Sequence, residues 1–159
     1  MADPIVVAAR ELLDEGLVGL RESVEDVSAD ILNRRPLGDD TNTLAVIVTH
    51  ALFSTRSWLS LATGAELPPR DRPAEFRTVA ASADELLSSV EVVGNECRSL
   101  LGDDVSFDPA RERTPTWRSD PDDVNEPTTA AWALIHAIAH LHEHVAHAQL
   151  TRQVLDRRG

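Results

Sequence analysis

Apolar residues recur at three- and four-residue steps in four long segments of the chain, which is the spacing of one face of an α-helix. The predicted helices cover about residues 4–25, 41–63, 73–101 and 126–157. Asp3 is placed to cap the first helix, and Pro4 suits the first helical position. A shorter helical piece over residues 28–33 precedes a break at Pro36.

The same spacing identifies the residues expected to face the core. In the first helix these are Ile5, Ala8, Leu12, Leu13, Leu17 and Leu20. In the second they are Leu44, Ile47, Val48, Ala51, Leu52, Thr55, Trp58 and Leu59. In the third they are Val79, Leu86, Leu87, Val90, Val93 and Leu100.

The connections between these helices differ in length. Residues 64–73 contain three prolines and form a connection, and residues 105–125 form a long loop of the kind that is often functional. Few segments alternate as strands do. The pattern therefore predicts an all-α fold, a four-helix bundle with unequal connections, in a single domain over residues 1–159.

Composition narrows the class of partner. Lys and Arg total 15 against 27 Asp and Glu, a net charge of −12, which argues against nucleic-acid and anionic-membrane partners. Cys97 is the only cysteine, so no internal disulfide and no cysteine zinc site is expected. We find no apolar run of about 20 residues and no signal pattern at the N-terminus, and we expect a soluble cytoplasmic protein.

Histidines carry the chemical information in this chain. Five of six lie between residues 136 and 147. At about 100° per residue, His136, His140, His144 and His147 share one narrow stripe, whereas His142 points to the other side. His142 and its neighbour Glu143 are therefore interpreted as a solvated face.

Two imidazoles at positions i and i+4 can bind one divalent ion, and a ligand from a facing helix can complete the site. The sixth histidine, His50, lies midway along the second predicted helix and is the natural third ligand. The alternative is that these histidines are ordinary half-buried polar residues. Four on one stripe facing a core favour metal, because buried imidazoles without partners are costly.

The remaining candidates have simpler interpretations. Arg56 and Arg152 are candidates for holding an anionic cofactor, but pairing with surface carboxylates is the favoured interpretation. Trp117, in the long loop, is interpreted either as a lid over a pocket or as an anchor of the loop. Trp58 and Trp132 are expected in the core.

Cys97 is expected to be a small buried residue and not a nucleophile, since no basic partner lies near it in the sequence.

Three segments resemble the DinB-like family of four-helix proteins, which includes thiol-S-transferases and mycothiol-dependent maleylpyruvate isomerases. They are the entry at residues 41–44 followed by His50 and Trp58, the His-x-x-x-His spacing of His140 and His144, and the ending at residues 148–153. The resemblance implies a metal triad of His50, His140 and His144.

At the position after the second motif histidine where relatives carry Glu or Gln, this chain has His147. His147 is interpreted as a proton carrier or a hydrogen-bonding partner in catalysis. His136 is interpreted as a residue just outside the ligands or as a competing ligand.

The resemblance implies an activity as well. Imidazole ligands favour Zn, Ni, Fe or Co over Mg or Ca, and such an ion activates a thiol or a water molecule. The implied reaction transfers a low-molecular-weight thiol (mycothiol, bacillithiol or glutathione) to a small electrophilic substrate. Two alternatives stay open: hydrolysis by an activated water, and a non-catalytic bundle that binds a small ligand or a protein. A homodimer is possible, as in many relatives.

Overall fold

The computed structural model describes residues 3–117 and 126–157. Four long helices dominate it, with two short helices and one pair of two-residue strands between them. In chain order the elements are α1 (Pro4–Val24), α2 (Ala29–Leu32), α3 (Leu44–Thr63), α4 (Arg72–Glu75), α5 (Ala83–Leu100), β1 (Glu112–Arg113), β2 (Thr128–Thr129) and α6 (Ala130–Asp156).

The long helices form a bundle in which α1 and α3 lie on opposite corners. Both pack mainly against α5 and α6, and they contact each other only slightly. The predicted all-α four-helix bundle is confirmed. Residues 118–125, which belong to the predicted long loop, lie outside the described residues, as do residues 1–2 and 158–159.

Side-chain caps explain where the long helices begin. Asp3 Oδ1 accepts a hydrogen bond from the Ile5 amide at 2.9 Å, as the sequence predicts. Thr43, Ser82 and Thr129 cap α3, α5 and α6 in the same way. Each cap satisfies an amide that has no partner within its own helix, and so sets the first residue of that helix.

Helix α3 is the central element of the core. By length and average composition alone it is long and apolar enough to cross a membrane, although His50 and Arg56 interrupt its apolar residues, so no continuous apolar run is present. Within the bundle, however, 78% of its most apolar window is buried. The apolar surface of α3 is therefore covered by the neighbouring helices α5 and α6.

The third predicted helix is wrong at its start. Residues 73–101 do not form one helix: α4 ends at Glu75, and α5 begins only at Ala83. The break is held by Asn33, whose side chain donates to the Ala80 carbonyl and accepts from the Ala80 amide. The pattern Ser82-x-x-Glu85 is a capping box that would have located the true start.

The last helix also begins later than predicted. Thr128 and Thr129 pair with Arg113 and Glu112 in a short antiparallel ladder, and α6 starts at Ala130. Local sequence shows no strand here because the pairing joins segments about 16 residues apart. The ladder ties the loop after α5 to the beginning of α6.

Four residues expected in the core are exposed instead. Leu12 is 42%, Val79 75% and Trp132 47% exposed, and Ala8 on the face of Leu12 is exposed too. Val79 lies in the break before α5, so helical spacing did not apply to it. Leu12 lies at the edge of a shallow apolar groove between α1 and α6, where the core-facing stripe is narrower than the sequence pattern.

Trp58 and Cys97 are buried as expected. Burial raises the pKa of the Cys97 thiol to about 12, which keeps it protonated and unreactive near neutral pH.

Helices α1 and α6 approach closely at two glycines of α1. A methyl group added at Gly19 would lie 2.5 Å from Val145 Cγ1, and one added at Gly16 would lie 2.5 Å from Leu141 Cδ2. These distances are shorter than any normal carbon contact. The absence of side chains at these positions therefore sets how near the two helices lie.

We expect Gly19→Ala to destabilise the protein by about 1–2 kcal/mol, because the clash with Val145 outweighs the gain in helix propensity. Urea unfolding monitored by circular dichroism measures this change. Ser88→Ala, at an exposed position of α5, is the control and should be neutral or slightly stabilising. Stabilisation by Gly19→Ala would show that the helices can separate without cost.

Candidate metal centre

The three predicted metal ligands lie close together between α3 and α6. His50 comes from the middle of α3, and His140 and His144 come from successive turns of α6. One ring nitrogen from each lies within 4.8 Å of the other two. The His50 ring centroid is 5.5 Å from that of His140 and 4.9 Å from that of His144.

The pair on α6 has the geometry of two ligands sharing one ion. His140 Nε2 and His144 Nε2 are 3.3 Å apart. Two imidazoles on a tetrahedral ion, with bonds of about 2.0–2.1 Å, place their nitrogens roughly 3.4 Å apart. Three imidazoles also leave a further coordination position open. The residues therefore fit a divalent transition metal.

Electrostatics keep this pair in the form that binds metal. Burial, together with the neighbouring histidines, lowers the pKa of His140 to about 3. Burial, with His50 and His147 nearby, lowers the pKa of His144 to about 4. Both rings are thus neutral near pH 7, with a lone pair available for an ion.

The Nδ1 atom of His50 is hydrogen-bonded to a carboxylate, that of Glu75, which the sequence pattern did not indicate. Glu75 Oε2 accepts a hydrogen bond from His50 Nδ1 at 2.8 Å, and only 4% of the Glu75 side chain is exposed. Arg70 donates to both oxygens of Glu75, at 2.6 and 2.7 Å. Burial alone raises the pKa of Glu75, but the bonds from Arg70 and His50 outweigh it and hold that pKa below its ordinary value.

His136 lies one turn before His140 but outside the cluster of three. Its ring stacks on Trp132 at 4.6 Å and contacts Trp58 edge-on at the same distance. The His136 and His140 ring centroids are 5.5 Å apart. Aromatic packing therefore accounts for His136, and of the two predicted roles the position just outside the ligands fits better.

A family model for mycothiol-S-transferases matches residues 8–157 of the chain. The chain belongs to the mycothiol-S-transferase family. This family is DinB-like, so the resemblance drawn from the sequence is confirmed. Its name points to a thiol-S-transferase-like enzyme with a small-molecule substrate.

A solved structure, a conserved protein from Enterococcus faecalis, has the same fold. The two superpose with a TM-score of 0.73, covering 97% of this chain and 98% of that one, at 16% sequence identity. At that identity the likeness concerns the fold alone. A comparison with curated proteins gives no match.

In this mycothiol-S-transferase family member, a cavity of about 500 Å³ lies between the C-terminal half of α3, the connection that follows α3 and the loop after α5. Its described lining includes Arg70 but none of the three clustered histidines. Trp117 lines the cavity and also packs edge-on against Trp58 at 5.4 Å. Trp117 thus anchors its loop on α3 and also forms part of the cavity wall. The rest of the loop that a lid would need, residues 118–125, lies outside the described residues. Arg70 forms another wall, which links the cavity to Glu75 and His50.

The last stripe histidine, His147, and the off-stripe His142 differ in their surroundings. His147 is exposed, and its ring centroid lies 6.1 Å from that of His144. His142 points away from the cluster as predicted, but it is half-buried, and its Nε2 donates to the Leu12 carbonyl at 2.9 Å. Packing against α1 explains this difference. Glu143 is exposed, as expected.

The candidate arginines pair with protein groups, as the favoured interpretation predicts. Arg56 donates to Glu96 at 2.7 Å, although its side chain is only 12% exposed and is not a surface residue. Arg152 donates to the Glu22 carbonyl and lies near Asp156. Neither residue belongs to the histidine cluster.

We expect the free energy of unfolding of the metal-free protein to fall as the pH is lowered from about 7.5 to 5.5. Histidines in the unfolded chain take up protons near pH 6.5, whereas His140 and His144 stay neutral in the folded protein until about pH 3 and 4. The unfolded state therefore binds more protons in this interval and is favoured by acid.

Urea unfolding with a chelator present, at several pH values, measures this dependence. The variant His144→Asn lacks one of the two groups and should show a shallower dependence. A flat profile for the wild-type protein would contradict the assignment of His140 and His144 as half-buried histidines that stay neutral in the folded protein.

Proposed function

We propose that this protein is a metal-dependent thiol transferase in which His50, His140 and His144 bind one divalent ion. The observation that carries the proposal is the meeting of three imidazole nitrogens within 4.8 Å in a member of a thiol-transferase family. The transferred thiol is a low-molecular-weight thiol, and the acceptor is a small electrophile.

The chain's own residues prepare this site in two ways. Burial keeps His140 and His144 neutral, and the facing helices hold all three rings at one point. When bound, a Zn, Ni, Fe or Co ion supplies Lewis-acid chemistry, which lowers the pKa of a thiol and makes it nucleophilic at neutral pH.

We infer that the transferred thiol is mycothiol and not glutathione or bacillithiol, from the described lining of the cavity next to α3. Ser57, Ser60 and Thr116 belong to this lining, and Trp117 offers an apolar ring to a sugar. The Ser57 and Ser60 hydroxyls donate to backbone carbonyls, and their oxygens can still accept hydrogen bonds. Both arginines of the described lining are engaged: Arg70 binds Glu75, and Arg113 donates to carbonyls at the end of α3. Glu66 adds negative charge to the lining.

This lining suits an uncharged polyol. Mycothiol is a glycosylated inositol without a carboxylate, whereas glutathione and bacillithiol carry carboxylates that would need free cations.

His147 is the proposed proton carrier of the reaction. It is exposed to solvent, and its ring is near that of His144, so it can exchange protons with water beside the site. A cytoplasmic location, where such thiols are found, belongs to the same proposal.

The ligand assignment predicts a sharp contrast between two histidines of α6. His144→Ala should abolish stoichiometric binding of a transition metal, whereas His142→Ala should retain it, because His142 bonds to α1. Elemental analysis of protein purified without a histidine tag or a chelator measures the content. Equal loss in both variants, or in neither, would refute the assignment.

The thiol assignment predicts that Trp117→Ala raises KM for mycothiol roughly fivefold, since stacking against a ring contributes on the order of 1 kcal/mol. Metal content should stay unchanged. The readout is consumption of a fluorogenic alkylating reagent with mycothiol, glutathione or no thiol present. Val92→Ala, at an exposed apolar position of α5 outside the cavity lining, is the control.

Equal rates with glutathione and mycothiol would contradict the choice of thiol. Metal-bound protein without thiol transfer but with ester or amide hydrolysis would favour the water-activating alternative. If the protein binds no added Zn or Ni, the alternative of a non-catalytic bundle that binds a small ligand or a protein would be favoured.

A further inference from the structure

The three clustered histidines differ in what holds their second ring nitrogen. His50 Nδ1 is bonded to Glu75, whereas the Nδ1 atoms of His140 and His144 are buried and have no hydrogen-bond partner among the described residues. Among the residues that the structure describes, only His50 of the three is hydrogen-bonded to a carboxylate. The two histidines of α6 contact each other through their Nε2 atoms instead.

Glu75 is itself held in place by a two-point contact. Arg70 Nε lies 2.6 Å from one carboxylate oxygen and Arg70 Nη2 lies 2.7 Å from the other. The side chains of Arg70 and Glu75 are 5% and 4% exposed. A planar guanidinium that engages both oxygens leaves the carboxylate little freedom to rotate.

The surrounding backbone presents Glu75 to His50. Asp71 caps the short helix α4 by accepting from the Ala74 amide at 3.0 Å, and Glu75 is the last residue of that helix. The next residue, Phe76, packs its ring against the His50 ring at 4.9 Å. The carboxylate that bonds His50 and the ring that packs against it therefore both come from the connection between α3 and α5.

We propose that Arg70 and Glu75 are positioning residues that prepare His50 to bind the metal ion. A carboxylate only accepts hydrogen bonds, so it selects the His50 tautomer with the proton on Nδ1. The lone pair is then on Nε2. The carboxylate also fixes the ring orientation and makes the imidazole a stronger donor. This inference rests on the proposed metal-binding function.

Stability alone does not account for the Arg70–Glu75 contact. Burying an ion pair costs desolvation that its attraction barely offsets, and apolar residues of similar size often serve the fold as well. A purely structural contact would tie α4 to the connection that precedes it but would leave metal affinity and the His50 tautomer unchanged. Those two quantities separate the interpretations.

The experiment compares Glu75→Gln with the wild-type protein, using Zn²⁺ alone in competition with a chromophoric chelator. Gln has the same size but can also donate a hydrogen bond, and so permits the wrong tautomer. We expect about 10- to 100-fold weaker Zn²⁺ binding. Glu96→Gln is the matched control, since Glu96 also pairs with an arginine, but away from the cluster; its affinity should be unchanged.

Nitrogen NMR of the metal-free protein reads the tautomer directly. The wild-type His50 should show a proton on Nδ1 alone, and Glu75→Gln should show a mixture. If Glu75→Gln fails to fold by circular dichroism, Arg70→Lys replaces it, because lysine keeps the charge without the two-point contact. We expect roughly 3- to 10-fold weaker Zn²⁺ binding for Arg70→Lys.

The outcomes separate this inference from the proposed function. Wild-type protein that binds no Zn²⁺ would refute the metal function itself. Wild-type binding with unchanged affinity and tautomer in a folded Glu75 or Arg70 variant would overturn the positioning role and leave the metal function standing.

Discussion

The contact between α3 and α6 is the interaction on which the candidate site depends. Helix α3 supplies one imidazole from its middle, and α6 supplies two from successive turns, so neither helix alone can assemble the cluster. The apolar side chains around His50 on α3 provide the burial that holds the helices together. That same burial keeps the α6 histidines neutral. The burial that stabilises the contact between the two helices therefore also keeps the α6 imidazoles in the neutral form that can bind a metal ion.

The connection between α3 and α5 extends this dependence. A continuous helix over residues 73–101 would carry Glu75 along the α5 axis; instead a single turn ends at Glu75, and a break tied to Asn33 follows. The turn brings Arg70 and Glu75 to the back of His50. An interruption of the helical pattern thus accompanies a buried charged contact, which is common at sites where function competes with regular structure.

Charge is distributed unevenly between the surface and the site. The chain carries a net charge of −12, yet Arg70 and Arg113 line the cavity next to α3. Arg70 pairs with Glu75, and Arg113 donates to a carbonyl group at the end of α3. Among the residues that the structure describes, the lining therefore combines hydroxyl-bearing residues and an indole ring with arginines that already have partners.

Much of this protein follows from short-range sequence patterns. Helical spacing predicted that four long helices exist, and Asp3 was correctly predicted to cap the first, although the starts of the third and fourth were wrong. The i, i+4 spacing placed His140 and His144 on one face because that relation is a property of the helix itself. Tertiary structure alone decided the rest. Glu75 and Arg70 become partners of His50 only when α4 folds back on α3, and the pairing of Glu112 with Thr129 joins distant segments. Such contacts depend on how elements pack in space, and local periodicity carries no information about that packing.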